Sequence, residues 1–163
     1  RLMSIEHTNR SQYLPTAETL TVEFKSDRAR LPDNELVEAL TCLANTNGGE
    51  LWLGVEDDGT PTGLHVAHQS LAGLAGMVAA KTSPSLSVTV QMLELSGVSV
   101  ARIVVPQSNM EIATTAGMYL RRRLKQDGSP ECVPMLPHDR SSRAGRFGLA
   151  DVSAQAGRQQ SDQ

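Results

Sequence analysis

The sequence predicts an α+β fold, with a single mixed β-sheet and two main helices packed on it. Three observations lead to this prediction: an apolar alternation of period two near the start, two segments with helical apolar spacing, and two later alternating runs joined by a short turn. Read in order, the elements are β-α-β-α-β-β-β. Because only 3% of the 163 residues are aromatic, the core must consist mainly of aliphatic side chains.

The first three elements alternate between strand and helix. Residues 19–24 alternate between apolar and polar side chains, which predicts a half-buried strand. A helix follows, with Asp33 as its N-cap and Asn47-Gly48 at its end, because glycine readily takes the left-handed conformation after a last turn. Residues 50–56 carry apolar side chains on both faces and therefore predict a central strand.

The remaining elements are a second helix and three strands. Helical apolar spacing predicts the helix over about 67–80. Residues 86–95 and 98–105 predict a hairpin with a two-residue turn. After a loop over 106–116, a last strand is predicted over 118–123.

Composition divides the chain into a leader over residues 1–14, a domain over 15–137 and a flexible tail over 138–163. Residues 15–115 carry five Lys or Arg against twelve Asp or Glu, whereas 116–163 carry eight against five. A basic C-terminal part beside an acidic domain is compatible with a polyanionic partner. No apolar run approaches the length of a bilayer span, which argues against a membrane partner.

Cysteine and histidine usage excludes several classes of site. Cys42 and Cys132 lack metal-ligand spacing and any secretory context, so they predict reduced thiols in a cytoplasmic protein. The sequence has no His-x-x-x-His pair and gives no support for zinc. It also has no serine or cysteine hydrolase motif.

Four carboxylates are candidate catalytic residues. Glu18 lies just before the first strand, and Glu23 lies on its polar face with Lys25 two positions later. Glu56 ends the central strand, and Asp57 follows it. Metal-dependent phosphodiester cleavage needs acidic side chains that hold Mg²⁺ or Mn²⁺, and Glu18, Glu23 and Glu56 are the candidate metal ligands. The alternative is that Glu and Lys line a polar strand face and that Asp-Asp-Gly is an ordinary turn. The residues alone leave both interpretations open.

The segment Asn45-Thr-Asn-Gly-Gly49 combines a helix stop with a tight turn. Its glycines predict a close approach of backbone where the helix passes into the next strand, although such a turn can also present N–H groups to an anion. It lacks the Gly-Lys-Ser/Thr ending of a P-loop, so ATP is not supported as a cofactor.

The segment over 119–125 carries four cations in five positions, preceded by an aromatic residue. Such a segment can bind phosphates and stack a base. In a strand, Arg121 and Arg123 share one face, and Arg122 lies on the other. The alternative is an edge strand that uses cations to prevent pairing with other strands. The candidate nucleic-acid contacts are Lys25, Tyr119, Arg121, Arg122, Arg123 and Lys125.

Several ordered blocks over about residues 16–125 together resemble the Schlafen AlbA-like domain family. The blocks are Glu18-x4-Glu23-Phe24-Lys25, Ala44-Asn45-x-Asn47-Gly48-Gly49, Gly54-Val55-x-Asp57-x-Gly59, Gly63, Val105-Pro106-x-Ser108 and Tyr119-x-Arg121. The resemblance implies a DNA-binding part of a bacterial transcriptional regulator; older descriptions call such domains divergent ATPases.

In animal Schlafen proteins the corresponding region is an RNA-cleaving domain with a three-carboxylate site. By resemblance, Glu18 and Glu23 match two of these carboxylates, and the third falls at Glu56 or Asp57. The family often has Asp at the position of Glu56, so Asp57 competes for this role.

Three functional hypotheses follow. The leading one is a nucleic-acid-binding module, with DNA favoured over RNA, which contacts phosphates through Lys25 and the cations of 121–125. The second is a metal-dependent endoribonuclease of the Schlafen type. The third is an interaction domain whose sheet edge pairs with a second copy to form a homodimer.

Overall fold

A four-stranded sheet forms the centre of the domain in the computed structural model, which describes residues 14–140. In spatial order its strands are β1 (Val22–Lys25), β2 (Gly49–Leu53), β5 (Val98–Val105) and β4 (Thr89–Leu95). β1 and β2 run parallel, whereas β5 is antiparallel to both of its neighbours. The sheet is therefore mixed, and the α+β prediction is confirmed.

Two further pairs of strands lie outside this sheet. β3 (Thr82–Ser83) pairs with β6 (Ala113–Thr114), and β7 (Leu120–Leu124) pairs with β8 (Pro130–Pro134). The predicted single sheet is thus wrong in detail, because the last predicted strand forms its own hairpin with β8. β8 was missed since a proline at each end disfavours a strand assignment.

The first helix, α1 (Asp33–Ala44), packs its apolar stripe on β2 and β5 and provides much of the larger core. Its predicted bounds are close to those observed, but its N-cap is Pro32. Asp33 is the first helical residue, and its carboxylate pairs with Arg30 at 3.0 Å. The predicted capping role of Asp33 is therefore wrong.

The second helix is much shorter than predicted. A 3₁₀ turn (Val66–His68) comes first, and α2 (Leu74–Ala80) begins only after Gly73. Gly73 has a φ of +83°, a left-handed conformation that interrupts a helix. Apolar periodicity continues across this break, which is why the sequence pattern suggested one continuous helix.

Other boundaries differ by a few residues. β2 ends at Leu53 rather than at residue 56, although Leu51, Trp52 and Leu53 are fully buried and confirm its central position. The two-residue turn between β4 and β5 is present, whereas the predicted loop over 106–116 contains β6. The predicted leader (1–14) and tail (138–163) lie almost wholly outside the described residues.

The two cysteines form a disulfide, so the prediction of two reduced thiols is wrong. Cys42 lies on the buried side of α1 and Cys132 lies on β8, ninety positions later in the chain. Sequence spacing cannot reveal such a long-range pairing. Within residues 14–140, no helix is long and apolar enough to cross a membrane.

Candidate functional site

Glu18 and Glu23 lie side by side at the outer edge of β1. The Glu18 carboxylate accepts a hydrogen bond from the Phe24 backbone N–H at 2.9 Å, which holds its side chain against the strand. Burial raises the pKa of Glu18 from 4.5 to about 7. The Phe24 N–H opposes this rise, whereas the nearby carboxylates of Glu23 and Asp57 add to it.

Glu23 is held between two cations. One of its carboxylate oxygens accepts from the Arg122 guanidinium at 2.9 Å, and the other lies 3.3 Å from the Lys25 ammonium. Both oxygens are therefore engaged by side chains of the domain itself. Lys25, which we predicted to contact phosphate, belongs to this ion-pair network.

The two candidates for the third carboxylate have different surroundings. The Glu56 carboxylate accepts a hydrogen bond from the Thr62 hydroxyl across a tight turn. Asp57 is exposed, and of the two it is the one whose charge acts on Glu18. The structure thus brings together Glu18, Glu23 and Asp57 electrostatically, and it turns Glu56 towards Thr62.

These carboxylates are not arranged around a metal site. Across residues 14–140, no three His, Cys, Asp or Glu side chains are arranged to hold a metal ion. Of the expected trio of Glu18, Glu23 and Glu56, Glu23 is engaged by two cations and Glu56 by a hydroxyl, so the metal-binding role of these residues stays a prediction. Mg²⁺ or Mn²⁺ needs convergent and accessible oxygen atoms, so a metal here would require Glu23 to leave its two cations.

Arg122 is a buried structural residue. Its side chain is almost inaccessible, and its guanidinium donates to the backbone carbonyls of Thr19, Leu20 and Val22 as well as to Glu23. This placement corrects the expectation that Arg122 contacts phosphate, because the side chain is buried and four of its five N–H donors already meet an internal acceptor. The sequence had indicated only that Arg122 faces away from Arg121 and Arg123.

The outer face of the β7–β8 hairpin carries the remaining cations of this segment. Arg121, Arg123 and Lys125, here called the β7 cation row, occupy alternate positions along β7 and into its turn. Arg121 pairs with Asp139 at 3.1 Å, and Arg123 pairs with Glu131 at 2.7 Å. The Arg123 side chain is 53% exposed, so its ion pair lies in water.

Tyr119 precedes the β7 cation row, and a further arginine stacks on its ring. The Arg140 guanidinium lies 4.0 Å from the ring centroid and pairs with Glu111 at 2.8 Å. Sequence reasoning missed Arg140, because this residue fell in the predicted flexible tail. No local pattern links it to a tyrosine twenty-one positions earlier.

The raised pKa of Glu18 predicts a pH-dependent stability. Because the pKa of Glu18 is raised on folding, its protonated form stabilises the folded state. This stabilisation is fully present below the ordinary pKa of 4.5 and is lost as pH rises through about 7. The free energy of unfolding of Glu18→Gln should therefore equal that of the unmodified protein near pH 4 and exceed it by about 1 kcal/mol near pH 8. The expected difference is this small because Glu18 is half-exposed and solvent screens its charge.

Urea unfolding at several pH values would measure this effect. Glu94→Gln, a change of the same kind at an exposed position on β4, should leave the pH dependence unaltered. A constant difference between the Glu18→Gln variant and the unmodified protein at all pH values would contradict the expected titration.

The sequence matches the model of a known protein family. The family model described as Schlafen, AlbA_2 matches residues 18–129, more than half of the chain. No curated protein matches the sequence.

Two solved structures are similar to this chain, and the first of them shares its fold. The DIP2311 protein from Corynebacterium diphtheriae is 19% identical with a TM-score of 0.60, over 83% of this chain and 31% of that protein. This chain therefore spans less than a third of the length of the Corynebacterium protein. The N-terminal domain of a RecG-related protein from Nitrosomonas europaea is 21% identical with a TM-score of 0.48, over 63% of this chain and 73% of that domain.

Proposed function

Because the chain belongs to the Schlafen, AlbA_2 family, we propose that it is a nucleic-acid-binding module of a transcriptional regulator and that it contacts DNA phosphates through the outer face of the β7–β8 hairpin. One observation carries this proposal: the β7 cation row lies on the outer face of β7 beside Tyr119, with Arg123 and Lys125 exposed and Arg121 half-buried. Side chains at every second position of a strand point to the same face, so the three cations can contact one polyanion together.

The existing ion pairs of the β7 cation row do not prevent such contacts. The exposed Arg123–Glu131 ion pair contributes only about 0–1 kcal/mol, whereas the Arg121–Asp139 pair is half-buried. A phosphate accepts two parallel hydrogen bonds from one guanidinium, and its neutralisation releases the counterions condensed on the DNA. Displacement of the Glu131 carboxylate from Arg123 by a phosphate is therefore energetically accessible.

Tyr119 and Arg140 extend the surface at the start of β7. Their stacked ring and guanidinium, 4.0 Å apart, form a flat aromatic and cationic group of the kind on which unpaired bases stack. The rest of the domain is acidic, with twelve Asp or Glu against five Lys or Arg over residues 15–115. Binding should consequently be confined to the hairpin face rather than spread over the whole surface.

The test is the salt dependence of DNA binding. Arg123→Gln combined with Lys125→Gln should weaken binding to a labelled duplex about tenfold at physiological salt. The negative slope of log K against log salt should become shallower by about 2, because two phosphate contacts are lost. Fluorescence anisotropy over a range of salt concentrations gives both quantities.

Lys81→Gln is the matched control, since Lys81 lies at the end of α2 and outside the hairpin. This control should bind like the unmodified protein. Equal loss in both variants would indicate an overall charge effect and would overturn the proposed face. A protein that self-associates but binds neither duplex nor single-stranded nucleic acid would support the interaction-domain hypothesis instead.

A further inference from the structure

The Cys42–Cys132 disulfide joins a buried position to an exposed one. Cys42 is fully buried on α1, whereas Cys132 is exposed on β8, and their Cα atoms lie 5.9 Å apart, within the usual range for disulfides. Of the two bonded residues, Cys132 is therefore the one nearer to solvent. The other partner is protected by the core.

Cys132 lies directly opposite Arg122 in the β7–β8 register. Directly opposed residues of an antiparallel pair project to the same face. Arg122 and Cys132 therefore both point inwards and anchor the hairpin, one to the segment before β1 and the other to α1. The β7 cation row lies on the opposite, outer face.

The two strands of the hairpin are fastened differently. β7 has anchors that do not depend on the disulfide: the Arg122 backbone N–H donates to the Thr46 hydroxyl, and the Asn45 amide donates to the Leu120 carbonyl. Within residues 14–140, the hydrogen bonds and ion pairs of β8 join it to β7. The Cys132 sulfur is the exception, because it is bonded to Cys42 and lies 3.9 Å from the Glu38 carbonyl. The disulfide is thus the main attachment of β8 to α1.

We propose that this disulfide is a thiol-responsive switch that controls the hairpin, and, resting on the proposed function, that its reduction weakens DNA binding. In the reduced protein the covalent link between β8 and α1 is lost, and within the described residues β8 is held mainly by its pairing with β7. Glu131 and the β7 cation row then lose their fixed spacing, and a polyanion must order them again on binding. α1 stays packed, because a reduced Cys42 remains a small buried apolar side chain.

The chemistry is thiol–disulfide exchange with a dithiol reductant. A reductant thiolate attacks the sulfur of exposed Cys132, forms a mixed disulfide with it and releases Cys42 as a thiolate, which takes up a proton. The second thiol of the reductant then displaces Cys132 as a thiol and closes the reductant's own disulfide. Two electrons pass from the dithiol to the protein, and a low-molecular-weight disulfide oxidant reverses the reaction.

Hydrogen exchange on the whole chain tests the switch without any nucleic acid. The protein is first oxidised with glutathione disulfide, the bond is verified by intact mass, and exchange is compared with and without dithiothreitol. On reduction, peptides covering residues 119–135 should exchange at least tenfold faster, and peptides covering β2 should be unchanged. Failure to form the intramolecular bond, unchanged exchange of the hairpin, or equal acceleration in β2 would each overturn the proposal.

Cys132→Ser provides the matched control, because it should exchange like the reduced protein whether or not dithiothreitol is present. DNA anisotropy in both redox states then tests the regulatory step, with binding expected to be about threefold to tenfold weaker after reduction. Equal binding in both states, despite faster hairpin exchange, would overturn regulation of the DNA contact. Absence of DNA binding in both states would refute the proposed function, while the exchange data would still decide whether the hairpin responds to thiols.

Discussion

Replacing Arg122 by alanine should lower the free energy of unfolding by about 4 kcal/mol, the magnitude expected when one partner of a buried ion pair is removed. The Arg122 side chain is 1% exposed and forms hydrogen bonds with Glu23 and with three backbone carbonyls before and within β1. Alanine would leave these acceptors without their donor and would place the charge of Glu23 beside Glu18 with only Lys25 to balance it.

Urea unfolding followed by circular dichroism measures this loss. Arg123→Ala is the matched control one position later, where the side chain is 53% exposed and pairs only at the surface. It should change the unfolding free energy by less than about 1 kcal/mol. Arg122→Lys should fall between the two, because an ammonium keeps the charge but lacks the planar fork. Equal effects at Arg122 and Arg123 would contradict the structural role assigned to Arg122.

Asn45→Ala should destabilise the domain by about 3 kcal/mol. The Asn45 amide is 3% exposed and donates to the carbonyls of Ile112 and Leu120, while its oxygen accepts from the Ile112 N–H, each at 2.8 Å. Its removal would leave three buried backbone groups without this partner. The side chain joins the end of α1 to two segments more than sixty residues away in sequence.

Thermal unfolding should separate this variant clearly from Asn47→Ala. Asn47 lies two positions later in the same motif, and its side chain is exposed. The Asn47→Ala change should shift the unfolding free energy by less than about 0.5 kcal/mol. Asn45→Asp should remain destabilised, because a carboxylate keeps the acceptor but loses both amide donors. A similar small effect at both asparagines would show that the motif acts only as a turn.

Elements with a strong local signal were predicted well. The apolar periodicity of α1 predicted the helix, and the alternation of β4 and β5 with the short turn that joins them predicted the hairpin. Both patterns arise within a few residues of chain. The glycine turn was likewise explained as a close approach of backbone. A Cβ at Gly49 would overlap the Thr21 carbonyl, so this position accepts only glycine without strain.

Elements that depend on distant partners were predicted poorly. β8 carries two prolines and becomes a strand only because β7 lies beside it. The helix predicted over 67–80 is interrupted at Gly73, where a left-handed turn outweighs a continuing apolar pattern. Among the candidate site residues, the phosphate-contact role of Tyr119, Arg121, Arg123, Lys125 and Lys25 stays a prediction.

The sequence by itself determined the α+β class, the order of the main elements and the resemblance to the Schlafen AlbA-like family, because these properties reside in local periodicity and in ordered short motifs. Only the tertiary structure decided what the charged residues and the cysteines do. Arg122 is buried while Arg123 is exposed, Glu23 is engaged by two cations, and Cys42 meets Cys132. Each of these outcomes depends on which distant groups fold against a side chain, and local spacing carries no information about such partners.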